Sequence, residues 1–208
     1  MCLCLASSLH SWAQVDISAY FLENHGFDTN FNYDARQTGN VSGDVINEVY
    51  GWTNETVAGT FAYNPEVTFN NSSALPASGY EGSEGGALGL TTGWGMQLVY
   101  SQSVTLPKGT YRLSSAYYNV GTSSAGNSLL AWLPDNGTAT VSNVKNFPVK
   151  SWKTDELIFT LTAQTTGKIR IGFAANEGVG SANHAKILVD YVKLLCDEMD
   201  KGNLETAL

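Results

Sequence analysis

Apolar and polar residues alternate with a period of two over much of this chain, the spacing that sends successive side chains to opposite faces of a β-strand. Met96, Leu98, Tyr100, Gln102, Val104 and Leu106 form one row against Gln97, Val99, Ser101, Ser103 and Thr105, and Pro107-Lys108-Gly109 follows as a turn. Beyond it Tyr111, Leu113, Ser115 and Tyr117 share one face, while Arg112, Ser114, Ala116 and Tyr118 share the other. The pattern predicts a hairpin. A second is predicted where Leu157, Phe159, Leu161 and Ala163 alternate with Ile158, Thr160 and Thr162, turn at Thr166-Gly167, and return as Ile169, Ile171 and Phe173. Further strands are predicted over residues 17–23, from Gly51-Trp52, and over 60–69, 128–133 and 139–146, separated by Gly, Asn, Ser and Pro clusters. Trp132 shares a face with Leu130, and either side of that strand could be core. The polar stretches 26–49 and 70–86 read as long loops, a length more often functional than accidental. About ten strands, almost no helical periodicity and no internal repeat predict an all-β fold, an antiparallel β-sandwich.

The last alternating stretch, residues 186–196, contains an anomaly. Read as a regular strand, it puts Leu188, Asp190, Val192, Leu194 and Cys196 in one row, so Asp190 lies among apolar side chains. A carboxylate there is costly unless backbone N–H groups, a cation or a metal satisfy it. Asp28 is the best candidate to meet it. Two acids with backbone carbonyls, and no sulfur or imidazole cluster, suit a hard oxygen-liganded cation such as calcium. The alternative is a single Asp hydrogen-bonded to a turn.

Composition narrows the functional classes. A formal charge of −8, with no Lys/Arg patch, argues against nucleic acid or an anionic membrane as partner. Residues 1–13 combine a short apolar run with Ser11-Trp12-Ala13, small residues at positions a signal peptidase reads, and predict a signal peptide and export to the cell surface or medium. Its removal takes Cys2 and Cys4 and leaves Cys196 alone, with no intrachain disulfide. Residues 14–196 form the sandwich domain, and 197–208, with Leu204 and Leu208 four apart, read as the start of a further helical segment. Catalytic motifs are missing from the sequence: His25 and His184 fall in no metal or triad pattern, there is no G-x-S-x-G, and Gly178-Val179-Gly180 lacks the rest of a dinucleotide loop.

Several stretches taken in order carry a resemblance: Asn24, Phe27 and Asp28; Gly51-Trp52; SQSVTLPKGTYRLSSAYYN from Ser101; WKTDELIFTL from Trp152; and ILVDYVKL from Ile187. Together they resemble the galactose-binding-like jelly-roll domains, which include many carbohydrate-binding modules of secreted bacterial glycan-degrading systems. The resemblance implies a non-catalytic module for a glycan or polysaccharide. It also implies a structural calcium held by the acid after the first strand and the Asp of the last, here Asp28 and Asp190. Asp28 stands where Glu is usual, and the turn Asn24-His25-Gly26 lacks the common Pro. Trp52 and Trp152 match positions such domains bury.

Sugars are bound by aromatic faces against their C–H side, with amides, acids and Arg at the hydroxyls. Trp94, flanked by Gly93 and Gly95, is the leading aromatic candidate, and the alternative is a tryptophan plugging one end of the sandwich. Tyr80 with Glu81 and Glu84 in the Gly-rich loop comes next, then Arg112 and Tyr118 on an open sheet face. The competing function is a structural or adhesive module that contacts protein or spaces a neighbouring domain.

Overall fold

The computed structural model describes residues 14–27, 48–55, 76, 78–83, 87–92, 97–120, 126–142, 149–175 and 185–197. Asp28, Glu84, Trp94, the strand predicted over 60–69, the leader and the tail lie outside them. Among the described residues are eleven strands: β1 (Gln14–Asp16), β2 (Glu48–Val49), β3 (Trp52–Asn54), β4 (Leu88–Thr92), β5 (Gln97–Leu106), β6 (Gly109–Asn119), β7 (Gly126–Pro134), β8 (Thr140–Ser142), β9 (Trp152–Leu161), β10 (Thr165–Ala175) and β11 (Ala185–Asp197). They form two antiparallel sheets. One has the order β1-β11-β6-β9, with β4 also on β11, and the other runs β2-β3-β5-β10-β7-β8.

The alternating rows meet between the sheets. Tyr111, Leu113, Tyr117, Leu157 and Phe159 face Tyr100, Leu130, Trp132, Ile169, Ile171 and Phe173, all buried. Trp132 stacks on Phe159 at 5.1 Å and 6°, so the Leu130 face of β7 is the core face. Burying each large apolar side chain contributes roughly 1.5–3 kcal/mol, so the rows themselves hold the two sheets together. One carboxylate sits inside this core. Asp155 is buried on β9 and accepts hydrogen bonds from Ser128 Oγ at 2.5 Å, from Ser142 Oγ, and from the Glu156 N–H at 2.9 Å. Its partners come from β7 and β8, so it ties the edge strand of one sheet to the other sheet.

Neither predicted hairpin is one. β5 pairs with β3 and β10, whereas β6 pairs with β11 and β9, so the turn at Pro107 is an arch from one sheet to the other. The turn between β9 and β10 is likewise an arch. The two stack at one end, with Leu106 opposite Thr165 and Gly109 opposite Leu161. Tyr111 braces the first by donating its hydroxyl to the Pro107 carbonyl at 2.8 Å. An arch and a hairpin place the same alternate residues inward, which is why the pattern does not separate them.

The strand predicted over 17–23 is also corrected. Strand pairing ends at Asp16, and Ser18–Phe21 forms a helical turn, α1. Asp16 Oδ1 accepts from both the Ser18 N–H, at 2.9 Å, and the Ser18 hydroxyl, at 2.6 Å, a local bond that bends the backbone out of the strand.

Candidate functional site

A β-bulge in β11 builds the site. Asp190 is opposite Ala116 and Lys193 opposite Ser114, so Tyr191 and Val192 share the space opposite Ser115. Tyr191 takes φ +55, and Val192 N–H donates to the His25 carbonyl at 2.8 Å. The extra residue reverses the alternation. Before the bulge Ile187 and Val189 point into the main core, and after it Val192, Leu194 and Cys196 do. Leu188 instead joins Ala87 and Tyr118 in a small cluster on the outer face, with Trp152 packed against it. Asp190 therefore does not share a row with Val192 and Leu194, as a regular strand would require. It faces outward beneath the loop that carries Tyr80.

That loop is a tight turn. Gly79 N–H donates to the Ser83 carbonyl at 2.8 Å and Ser83 N–H to the Tyr80 carbonyl at 3.2 Å, with Glu81 at φ +54 and Gly82 at φ +84. Tyr80 N–H donates to Asp190 Oδ2 at 2.8 Å, which pins the turn to the sheet across 110 residues of sequence. Asp190 is wholly buried. A buried carboxylate is satisfied by donors of this kind, so the turn-bonded alternative describes this oxygen.

Around that anchor the structure gathers aromatic and charged side chains from four places in the chain. The Tyr80 ring lies 6.0 Å from Trp152 and 6.5 Å from Tyr191. His25 packs edge-on to Tyr191 at 6.1 Å. Lys193 Nζ sits 4.5 Å from the Tyr191 ring centre and 3.5 Å from Glu81 Oε2. The Tyr80 hydroxyl is pushed above its usual pKa by burial first, then by the charge and hydrogen bond of Glu81, with Lys193 opposing. It remains a neutral donor at physiological pH. Aromatic faces beside one acid and one ammonium can stack on apolar patches of a ligand and bond its hydroxyls.

The candidates divide accordingly. Tyr80 and Glu81 belong to this cluster. Tyr118 lies beneath it, 7% exposed and 5.3 Å from Trp152, so it is a floor and not a contact surface. Arg112 is outward but belongs elsewhere: it pairs in register with Leu195 and Ile158, six positions along β6 from Tyr118, roughly 20 Å at the rise of a strand. It forms an ion pair with Glu156 at 3.1 Å. Asp28, Glu84 and Trp94 fall outside the described residues. Trp152, read as structural, is half-buried on the outer face and belongs to the cluster. Tyr191, Lys193 and His25 were not singled out, because a regular strand puts Tyr191 and Lys193 opposite Asp190. A bulge marked by Tyr at positive φ, in place of Gly, leaves no local signal.

No family model matches the chain, and no curated protein matches it significantly. Among solved structures it is similar to TmCBM61 in complex with β-1,4-galactotriose, at 18% identity and a TM-score of 0.53, over 85% of this chain and 97% of that one. It also aligns with the family 11 carbohydrate-binding module from Clostridium thermocellum, in complex with a β-1,3-1,4-mixed-linked tetrasaccharide, at 19% identity and a TM-score of 0.42 over 73% and 92% of the two chains. A family 16 carbohydrate-binding module matches at 19% identity and a TM-score of 0.41 over 70% and 96%. The first of these carries the comparison, and with its two antiparallel sheets this chain has the jelly-roll β-sandwich fold of carbohydrate-binding modules.

Proposed function

We propose that this chain is a non-catalytic carbohydrate-binding module that holds a glycan on the outer face of the β11 sheet. The observation that carries the reading is the cluster of Tyr80, Tyr191 and Trp152, half-buried on one face with Glu81 and Lys193 beside them. Partly exposed rings backed by a buried floor retain apolar area for a sugar without paying conformational entropy to order themselves. The TmCBM61 complex makes β-1,4-galactan the first polymer to try. A glycan array with the mature domain, beside Tyr80→Ala and Trp94→Ala, tests the reading. Binding that Tyr80→Ala lowers about tenfold or more supports this face. Loss in Trp94→Ala alone moves the site to residues 93–96. Silence across plant, host and microbial glycans favours the structural or adhesive module.

Export by the leader at residues 1–13 belongs to the same proposal, and no helix among the described residues is long and apolar enough to cross a membrane. So does a structural calcium. Asp190 suits its anchor, being a wholly buried carboxylate, although no three His, Cys, Asp or Glu side chains converge among the described residues. Calcium takes about six to eight oxygens, so Asp28 and backbone carbonyls would supply the remainder. Chelation then lowers the melting temperature of the purified domain, since a ligand held only by the native state stabilises it. An unchanged melt excludes the cation.

A further inference from the structure

The turn between β7 and β8 holds an exposed Asn-Gly pair next to a fixed anchor. Pro134, Asp135, Asn136 and Gly137 stand in the order of a β-turn, with Gly at the last position. Asp135, Asn136 and Gly137 are all exposed. The Asp135 N–H donates to the Thr166 carbonyl at 3.0 Å, which fixes the start of the turn against the arch between β9 and β10. β8 pairs with β7 only from Thr140, so residues 136–139 span the distance from that anchor to the first paired residue. Gly137 lies against the Pro134 ring, where a Cβ would meet Pro134 Cγ at 2.8 Å. Glycine is therefore required by close approach, not by a left-handed backbone. Its N–H makes no backbone hydrogen bond of ordinary geometry among the described residues.

We propose that Asn136 is a site of covalent self-modification, converting through a cyclic imide with Gly137 to aspartate and isoaspartate. The deprotonated Gly137 nitrogen attacks Asn136 Cγ. The new N–Cγ bond forms, the Cγ–Nδ2 bond breaks, and the leaving nitrogen takes up a proton and departs as ammonia. Water then opens the imide. Cleavage of the new N–Cγ bond gives aspartate, and cleavage of the original peptide bond gives isoaspartate, in which the main chain runs through Cβ and Cγ of residue 136. Water is consumed and ammonia released, with no change of oxidation state. Glycine favours the attack because no Cβ shields the nitrogen and the backbone is free to reach the required geometry. This is the only Asn-Gly in the sequence. Among the described residues the other asparagine followed by a small residue is Asn127, and it is held in β7 opposite Ala174, with Ser128 buried and bonded to Asp155. Each product adds one negative charge beside Asp135 to a chain that already carries −8. Isoaspartate also lengthens the short span to β8, whose Ser142 hydroxyl bonds the buried Asp155. The modification therefore acts on the edge strand at the arch end of the sandwich, and it is independent of the sugar face.

The test is incubation of the purified chain at neutral and mildly alkaline pH, followed by isoelectric focusing, peptide mapping and labelling with an isoaspartyl methyltransferase. A more acidic species is expected to accumulate, faster at the higher pH, with ammonia released in equal amount and with aspartate and isoaspartate both mapped to position 136. The folded chain is expected to convert at a rate comparable to that of the chain unfolded in urea at the same pH, because the turn leaves the pair open. Asn136→Gln keeps the amide but lengthens the side chain, and it is expected to abolish the acidic species. Gly137→Ala, checked for native melting, slows its formation. Persistence of the acidic species in Asn136→Gln, or first conversion at another asparagine, overturns the proposal. So does an Asn136 that converts in urea and stays intact in the folded chain, since the native turn would then protect it.

Discussion

Replacing Asp190 probes both the anchor of the site and the proposed cation, and two variants separate them. Asp190 Oδ2 accepts the Tyr80 N–H at 2.8 Å from a wholly buried position. A hydrogen bond to a charged group contributes about 1.5–3 kcal/mol, and a buried donor left alone costs about 1–3 kcal/mol. Asp190→Ala removes the acceptor and is expected to cost about 2–4 kcal/mol, the range of a broken buried network. For a domain of this size that lowers the melting temperature by roughly 5–15 °C. Asp190→Asn keeps an acceptor oxygen and loses the charge. If the bond to Tyr80 is the main role, Asn retains more than half of the stability and the Tyr80 amide stays protected from hydrogen exchange. If a calcium dominates, Asn falls as far as Ala, and chelation brings the wild type down to both. Denaturant titration with amide exchange reads all of these. The reasoning about the anchor is refuted if both variants stay within about 0.5 kcal/mol of wild type, the ordinary range of a surface change.

Two further outcomes follow from the buried and paired charges. Asp155→Ala is expected to lose about 2–4 kcal/mol in urea unfolding, because it removes the buried acceptor that the Ser128 and Ser142 hydroxyls share, and a loss below about 1 kcal/mol would show that the core relaxes around the change. On the far face of the other sheet Glu55 meets Lys168 Nζ at 2.5 Å and Arg170 Nε at 2.7 Å. Burial alone would raise its pKa, but the hydrogen bonds from Lys168 and Ser101 and the two cationic charges outweigh burial and hold it below 4.5. A depressed carboxyl stabilises the fold above its unfolded pKa and loses that contribution as pH falls through the folded value. Wild type and Glu55→Gln should therefore differ at neutral pH and converge in acid below about 4.5, and a gap that persists at low pH would contradict the pairing.

Much of the fold was legible because alternation is a local property. The rows of Tyr111, Leu113 and Tyr117, and of Ile169, Ile171 and Phe173, mark the residues that leave water whichever strand lies beside them, and in the structure they are buried. The buried Asp190 was also legible, since a carboxylate between Val189 and Val192 is an anomaly on any reading. Strand neighbours were not. The turns at Pro107 and after Leu161 read as hairpins and are arches, because the hydrogen-bond partner of a strand is chosen by distant chain and not by the turn alone. The face of Asp190 was misjudged for a related reason. One additional residue at Tyr191 inverts every later side chain, and it is stabilised by contacts with Ser115 and His25, the latter far away in sequence. By itself, then, the sequence determined most of the long strands and the inward rows of β6, β9 and β10, since those follow from short-range spacing and the cost of exposing apolar area. The site was decided only by tertiary structure. Tyr80, Trp152, Tyr191 and His25 share no local pattern, and they meet because a bulge and a buried hydrogen bond bring separate segments of the chain to one face.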